Sequence, residues 1–156
     1  MLFKVLKMIL AIIILLVIIM MILFVIKGRA SQQGQASGLQ SGTLAACPSS
    51  PNCVSSEAGT AASHSIAALS YAGAPEQAWQ RVISAVNATG GRVQADTGDY
   101  LAATYHSSLF GFVDDLELRL DSENNQIQIR SASREGYSDM GANKKRITAL
   151  QQAYNN

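Results

Sequence analysis

Apolar positions fall along this chain in two regimes. Over residues 8–26 they are unbroken, Met-Ile-Leu-Ala-Ile-Ile-Ile-Leu-Leu-Val-Ile-Ile-Met-Met-Ile-Leu-Phe-Val-Ile. At about 1.5 Å of rise per residue such a run crosses a hydrocarbon core of about 30 Å. It predicts a transmembrane helix over 8–26 behind a short cytoplasmic segment 1–7. Further on, apolar residues recur with a period near two or near 3.6, the marks of strands and helices around a common core.

The second regime resolves into an ordered series. His64 to Tyr71 alternates loosely and reads as a strand, and Pro75 opens a helix on which Ala78, Val82, Ala85 and Val86 share a face until Gly90-Gly91 ends it. Strands follow over 92–96 and 100–107, joined by Thr97-Gly98-Asp99, then over 110–120 and 126–133 with a turn within 121–125. A last helix runs over about 140–154, capped by Ser138 or Asp139. The predicted class is α+β: a mostly antiparallel sheet of about five strands, two helices on one face, and the transmembrane helix in front.

Residues 27–46 are rich in Gly, Ser and Gln and poor in large apolar side chains, so they read as a flexible tether before a soluble domain over 47–156. A cleaved signal peptide is the rival to a retained anchor, but its apolar core is usually shorter, about 7 to 15 residues, and Gly34-Gln35-Ala36 is a poor cleavage site. Leu44-Ala45-Ala46-Cys47 mimics a lipidation box, yet lies too far beyond the apolar run. Lys4 and Lys7 are balanced by Lys27 and Arg29, so flanking charge leaves orientation open. Cys47 and Cys53, the only cysteines, bracket Pro-Ser-Ser-Pro-Asn, a turn-rich loop suited to a disulfide. An oxidising compartment suits them, which favours the N-terminus in the cytoplasm and the domain outside it.

Charge narrows the partners. Four of the twelve basic residues precede Ala30, leaving eight against eleven acidic ones, so the domain is mildly acidic, which argues against nucleic acid as a partner. Two cysteines and two histidines, His64 and His106, at no familiar ligand spacing give no metal site, and no sequence motif calls for a cofactor. No nucleophile motif is present, and Asn87-Ala-Thr89 fits a glycosylation acceptor at a helix end.

The chemistry-bearing residues concentrate late in the chain. Alternation over 113–121 sends Leu116, Leu118 and Leu120 to the core and Asp115, Glu117, Arg119 and Asp121 to the other face, with Asp114 on the apolar side. Ile127 and Ile129 must also face the core, which sets Arg130 opposite or diagonal to Glu117 and puts Ser131 and Ser133 beside Asp114. On the last helix Asn143 shares the buried stripe of Ile147, Leu150 and Tyr154 and needs partners, for which Asp114, Ser131, Ser133 and Arg134 are candidates. These groups either satisfy one another or offer Arg130, Arg134 and Arg146, with the helix start, to a carboxylate or phosphate. A hydrolase-type use of the carboxylates on an envelope substrate is the third reading, weakened because adjacent carboxylates on one strand point apart.

Three segments then carry a likeness: Cys47-Pro-Ser-Ser-Pro-Asn-Cys53-Val-Ser-Ser, Phe110-Gly-Phe-Val-Asp-Asp-Leu-Glu117, and Arg130-Ser-Ala-Ser-Arg-Glu-Gly-Tyr-Ser-Asp139 followed by Gly141-Ala-Asn-Lys-Lys-Arg-Ile147. Together they closely resemble the DUF1499 family, over about Cys47 to Tyr154. The resemblance implies a bacterial, often membrane-attached or exported protein, hence with the anchor a bacterial inner membrane and a periplasmic domain, and brings no activity. The family pattern falls on Asp114, Asp115, Glu117, Arg130, Ser131, Ser133, Arg134, Gly136, Tyr137, Asp139, Gly141, Asn143 and Arg146. The expected protein is a membrane-anchored binding or assembly module with a candidate site at those charged and polar residues, no catalytic residue, and an anionic small molecule or envelope protein as partner.

Overall fold

The computed structural model describes residues 2–156. Helix α1, Leu2–Gln32, is the one described helix long and apolar enough to cross a membrane. A hairpin of two short strands follows, β1 (Leu39–Gln40) and β2 (Thr43–Leu44), then β3 (Cys53–Ser55), β4 (Leu69–Ser70) and helix α2 (Pro75–Ala88). Strands β5 (Arg92–Asp96), β6 (Tyr100–His106), β7 (Val113–Asp121) and β8 (Gln126–Ser133) lead to helix α3 (Ala142–Asn155).

The main sheet runs β3-β8-β7-β6-β5, all neighbours antiparallel, and β4 pairs with β8 beyond the end of β3. This is the expected α+β class with six strands. Short connections dictate the order, because β5 to β8 are joined by tight turns that leave sequential strands side by side. In β7 and β8 the alternating apolar residues Leu116, Leu118, Ile127 and Ile129 are fully buried. Helices α2 and α3 cover that face through Val82, Val86, Ile147 and Leu150, giving one contiguous core. Pro75 begins α2 where its missing N–H costs nothing, and Trp79 turns its ring into the core while its indole N–H donates to Asp96 at 2.9 Å.

The structure corrects several expectations. Only Leu69 and Ser70 of the stretch 64–71 join the sheet, with Ser65 making a single bridge to Ser55. A turn at 61–64 uses the His64 N–H on the Ala61 carbonyl, and the His64 ring takes the Cys53 carbonyl as partner at 2.8 Å. Strand β3 was not foreseen, since three residues beside a disulfide leave no readable period. Cys47 and Cys53 do form that disulfide, which closes the loop leading into β3. Helix α3 starts with Gly141 as N-cap, not Ser138 or Asp139; Asp139 serves instead from outside, accepting the Gly141 and Asn143 N–H groups at 2.9 and 2.8 Å.

The largest difference concerns residues 27–46. The helix does not stop at Ile26 but continues to Gln32, and the chain beyond it crosses the outer face of the sheet in place of a free tether. Gly28 lets α1 come this close: a Cβ there would collide with the Phe110 carbonyl oxygen. Ser31, fully buried, accepts the Val113 N–H at 3.0 Å, and Gln32 donates to the Gly111 carbonyl. Such bonds are invisible to composition.

Candidate functional site

The β7–β8 ladder places the charged residues of the candidate site on both faces of the sheet. Its register pairs Asp114 with Ser133, Asp115 with Ala132, Leu116 with Ser131 and Glu117 with Arg130. Consecutive residues of β7 point oppositely, so Asp114 joins the helix side and Asp115 the outer side. The one cluster suggested by the sequence is therefore two.

On the helix side the centre is Asn143, 0% exposed. Its amide nitrogen donates to the Asn52 carbonyl at 2.9 Å and to Asp139 at 2.8 Å, and lies 3.2 Å from the Ser133 hydroxyl. Its amide oxygen accepts from the Ser131 hydroxyl at 2.6 Å and from Arg146. Arg146 also donates to Ser131 at 2.9 Å and to Asp114 at 2.6 Å, and its guanidinium lies 4.6 Å from the centre of the Tyr105 ring. Asp114, Ser131, Ser133, Asp139, Asn143 and Arg146 are thus brought together as a closed network between β8 and the start of α3.

On the outer side three ion pairs stand in a row. Arg130 donates to Glu117 at 2.7 Å, Arg134 grips Asp115 through two bonds of 2.8 and 2.7 Å, and Arg119 grips Glu57 through two of 2.8 and 3.0 Å. Each pair also holds a point of the preceding chain. Glu117 accepts the Gly38 N–H at 2.7 Å, Glu57 accepts the Leu44 N–H at 2.9 Å, and Arg134 donates to the Ser31 carbonyl at 3.1 Å. A carboxylate in little water keeps its charge when several donors surround it, and Glu117, with Tyr100 donating a further bond at 2.9 Å, is completely buried. The row fastens the segment from α1 to β2 onto the sheet.

Arg134 departs from its expected place beside Asn143. Alternation continues one residue past β8, so Arg130, Ala132 and Arg134 share the outer face. Tyr137 is drawn into neither group; it is 75% exposed on the loop before α3. Asn52, Glu57 and Tyr100 were missed. Alternation of β6 would have put Tyr100 on the face of Glu117, whereas nothing in the pattern marks Asn52 or Glu57.

Electrostatics follow from this packing. Burial pushes the Tyr100 phenol far above its ordinary range, and the Glu117 charge adds to it; burial also raises Tyr105, against its bond to Thr89 and the nearby Arg146. Burial alone would raise Asp121, but donors from Asn124 and Gln128, with Arg119, hold it below the usual carboxylate range. The two tyrosines make stability fall at alkaline pH. Both stay neutral in the folded chain while the unfolded chain ionises them near pH 10, so their contribution is complete below about pH 10 and is lost as pH rises further. The urea midpoint of the full chain in detergent should therefore fall above that pH, and Tyr100→Phe should flatten the fall.

Chemically, the two clusters offer little free reactivity. Asp114 and Asp115 face opposite sides of the sheet, each bound to an arginine, so they form no acid and base pair. Among the described residues no three His, Cys, Asp or Glu side chains gather in a way that would hold a metal ion. Open space lies beside the outer row instead. A groove of about 570 Å³ runs between the chain at 32–36 and strands β5 and β6, with Asp115 and Arg134 in its floor and Arg92, Gln94, Thr104 and His106 along its wall. Arg92 makes no ion pair among the described residues, unlike the four arginines of the clusters.

In comparison with known families, the model described as a protein of unknown function, DUF1499, matches residues 43–153. It spans β2 through nearly all of α3 and takes in both clusters. No curated protein matches the chain.

Proposed function

The chain belongs to the DUF1499 family, and from that premise we propose that it is a single-pass membrane protein of the bacterial envelope whose domain, outside the cytoplasm, binds a small anionic ligand in the outer-face groove. The long apolar helix supports the anchor, and the disulfide supports an oxidising compartment. The ion-pair row acts as the frame of the groove. The binding surface is its wall, where Arg92 has a guanidinium free to make paired bonds to a carboxylate or phosphate and His106 and Thr104 add polar groups.

The observation that carries this reading is the unpaired Arg92 beside a groove whose other charges are already neutralised. A charged hydrogen bond of this kind contributes about 1.5–3 kcal/mol, which is roughly tenfold or more in affinity. Titration of the full chain in detergent with inorganic phosphate and with citrate, followed by amide shifts of β5 and β6, should show saturable binding weakened about tenfold or more by Arg92→Ala. Shifts that do not saturate, or that Arg92→Ala leaves unchanged, would remove the groove as the site.

A further inference from the structure

The junction between α1 and the domain carries a second surface. Phe24 lies inside the apolar run 8–26, yet its ring stacks on Phe110 with centroids 5.1 Å apart and meets Phe112 edge-on at 6.2 Å. Phe110 and Phe112 also meet each other edge-on. Gly28 and Ser31, one and two turns further along α1, are buried against the same loop. Whatever depth Phe24 occupies, the loop 107–112 occupies too.

Around that contact the domain exposes large apolar side chains. Leu109 is 78% exposed, Tyr137 75% and Met140 92%, and among the described residues outside α1 no other large apolar side chain exceeds half exposure. A groove of about 320 Å³ joins Phe24, Phe112 and Met140 and places the loop 135–140 beside the helix. Lys27 and Arg29 follow Phe24 within about 8 Å along the helix axis, the position of lipid phosphates when the apolar run fills the hydrocarbon. Lys27 also pairs with Glu135 at 3.3 Å, which fixes the second loop to the helix at that level.

We propose that the end of the domain formed by loops 107–112 and 135–141 sits in the headgroup and acyl boundary of the bilayer that α1 crosses, with Leu109, Tyr137 and Met140 inserted beside the helix. Continuity with the apolar helix selects lipid as the occupant: Phe24 brings the loops to the membrane, and the exposed side chains are those that partition to its interface. The domain is therefore held against the membrane with its outer-face groove at a fixed height, not suspended above it. The proposal rests on reading α1 as an anchor.

The test uses the full chain in vesicles of phosphatidylethanolamine and phosphatidylglycerol, with tryptophan placed by Leu109→Trp, Met140→Trp, Val17→Trp or Glu123→Trp and the parent as background for the buried Trp79. Glu123 lies in the turn beyond the far end of β7, about 30 Å from the loops. Lipid brominated high on its acyl chains should quench and blue-shift Leu109→Trp and Met140→Trp, lipid brominated near the chain ends should quench Val17→Trp, and Glu123→Trp should lose no signal with either. Quenching of Val17→Trp alone would overturn the docking and leave the anchor standing. Absence of quenching at Val17→Trp would overturn the anchor, and the docking with it.

Discussion

Arg130→Ala should cost about 3–5 kcal/mol of stability, the scale for removing one partner of a buried ion pair. Arg130 and Glu117 lie directly opposite on β8 and β7, and Glu117 has no exposure to water. Without the guanidinium its carboxylate keeps only the Gly38 N–H and the Tyr100 hydroxyl, both on the same oxygen. The second oxygen is left charged and unpartnered in the protein interior. A small domain holds about 5–15 kcal/mol in all, so this change removes a large part of it. Replacing both residues by Met or Leu should recover only part of the loss. The buried charge disappears, but the Gly38 and Tyr100 donors then lack an acceptor. Urea unfolding of the full chain in detergent measures both effects, and a loss below about 1 kcal/mol for Arg130→Ala would contradict the frame reading, since that is the scale of a solvated surface pair.

Asn143→Ala should cost about 3 kcal/mol, through several hydrogen bonds lost together, two of them to charged groups, more than through lost volume. The change removes the amide that accepts from Ser131 and Arg146 and donates to Asn52 and Asp139, while Arg146 keeps Ser131, the Ser133 N–H keeps the Asn52 carbonyl and the backbone N–H groups of Gly141 and Asn143 keep the Asp139 cap. Asn143→Asp should do no better despite its similar shape, because a carboxylate cannot donate to Asn52 and would face Asp139. Thermal unfolding of the two variants beside the parent decides the matter. Equal losses mark the amide's donor as the essential part, whereas an Asp variant as stable as the parent would show that only the acceptor to Ser131 and Arg146 matters.

The sequence reached these residues through strand parity. The apolar residues of 113–121 and 126–133 determine which neighbours share a face, and that alone predicted Glu117 against Arg130 and Asp114 beside Ser131 and Ser133, all of which the register shows. The stripe of α3 likewise marked Asn143 as buried. Carrying the same parity one step further would have sent Arg134 outward to Asp115. Residues 27–46 were illegible for a different reason. Their order comes from single backbone amides meeting buried carboxylates, Gly38 on Glu117 lying 79 positions apart, and such contacts impose no period on the chain. The hairpin of β1 and β2 has two residues per strand, too few to alternate. Small side chains at Gly28 and Ser31 look like linker composition but are what lets α1 touch the domain.

The outer ion-pair row is what fastens the segment between α1 and the sheet. Amide hydrogen exchange at Gly38, read in the full chain in detergent for the parent and for Glu117→Gln, addresses this directly. A neutral amide oxygen is a weaker acceptor for Gly38 and leaves Arg130 unbalanced, so the Gly38 N–H should be protected in the parent and should exchange much faster in the variant, while the β7–β8 amides stay slow. Rapid exchange at Gly38 in the parent, or protection unchanged by Glu117→Gln, would contradict the account and return residues 33–44 to a free tether.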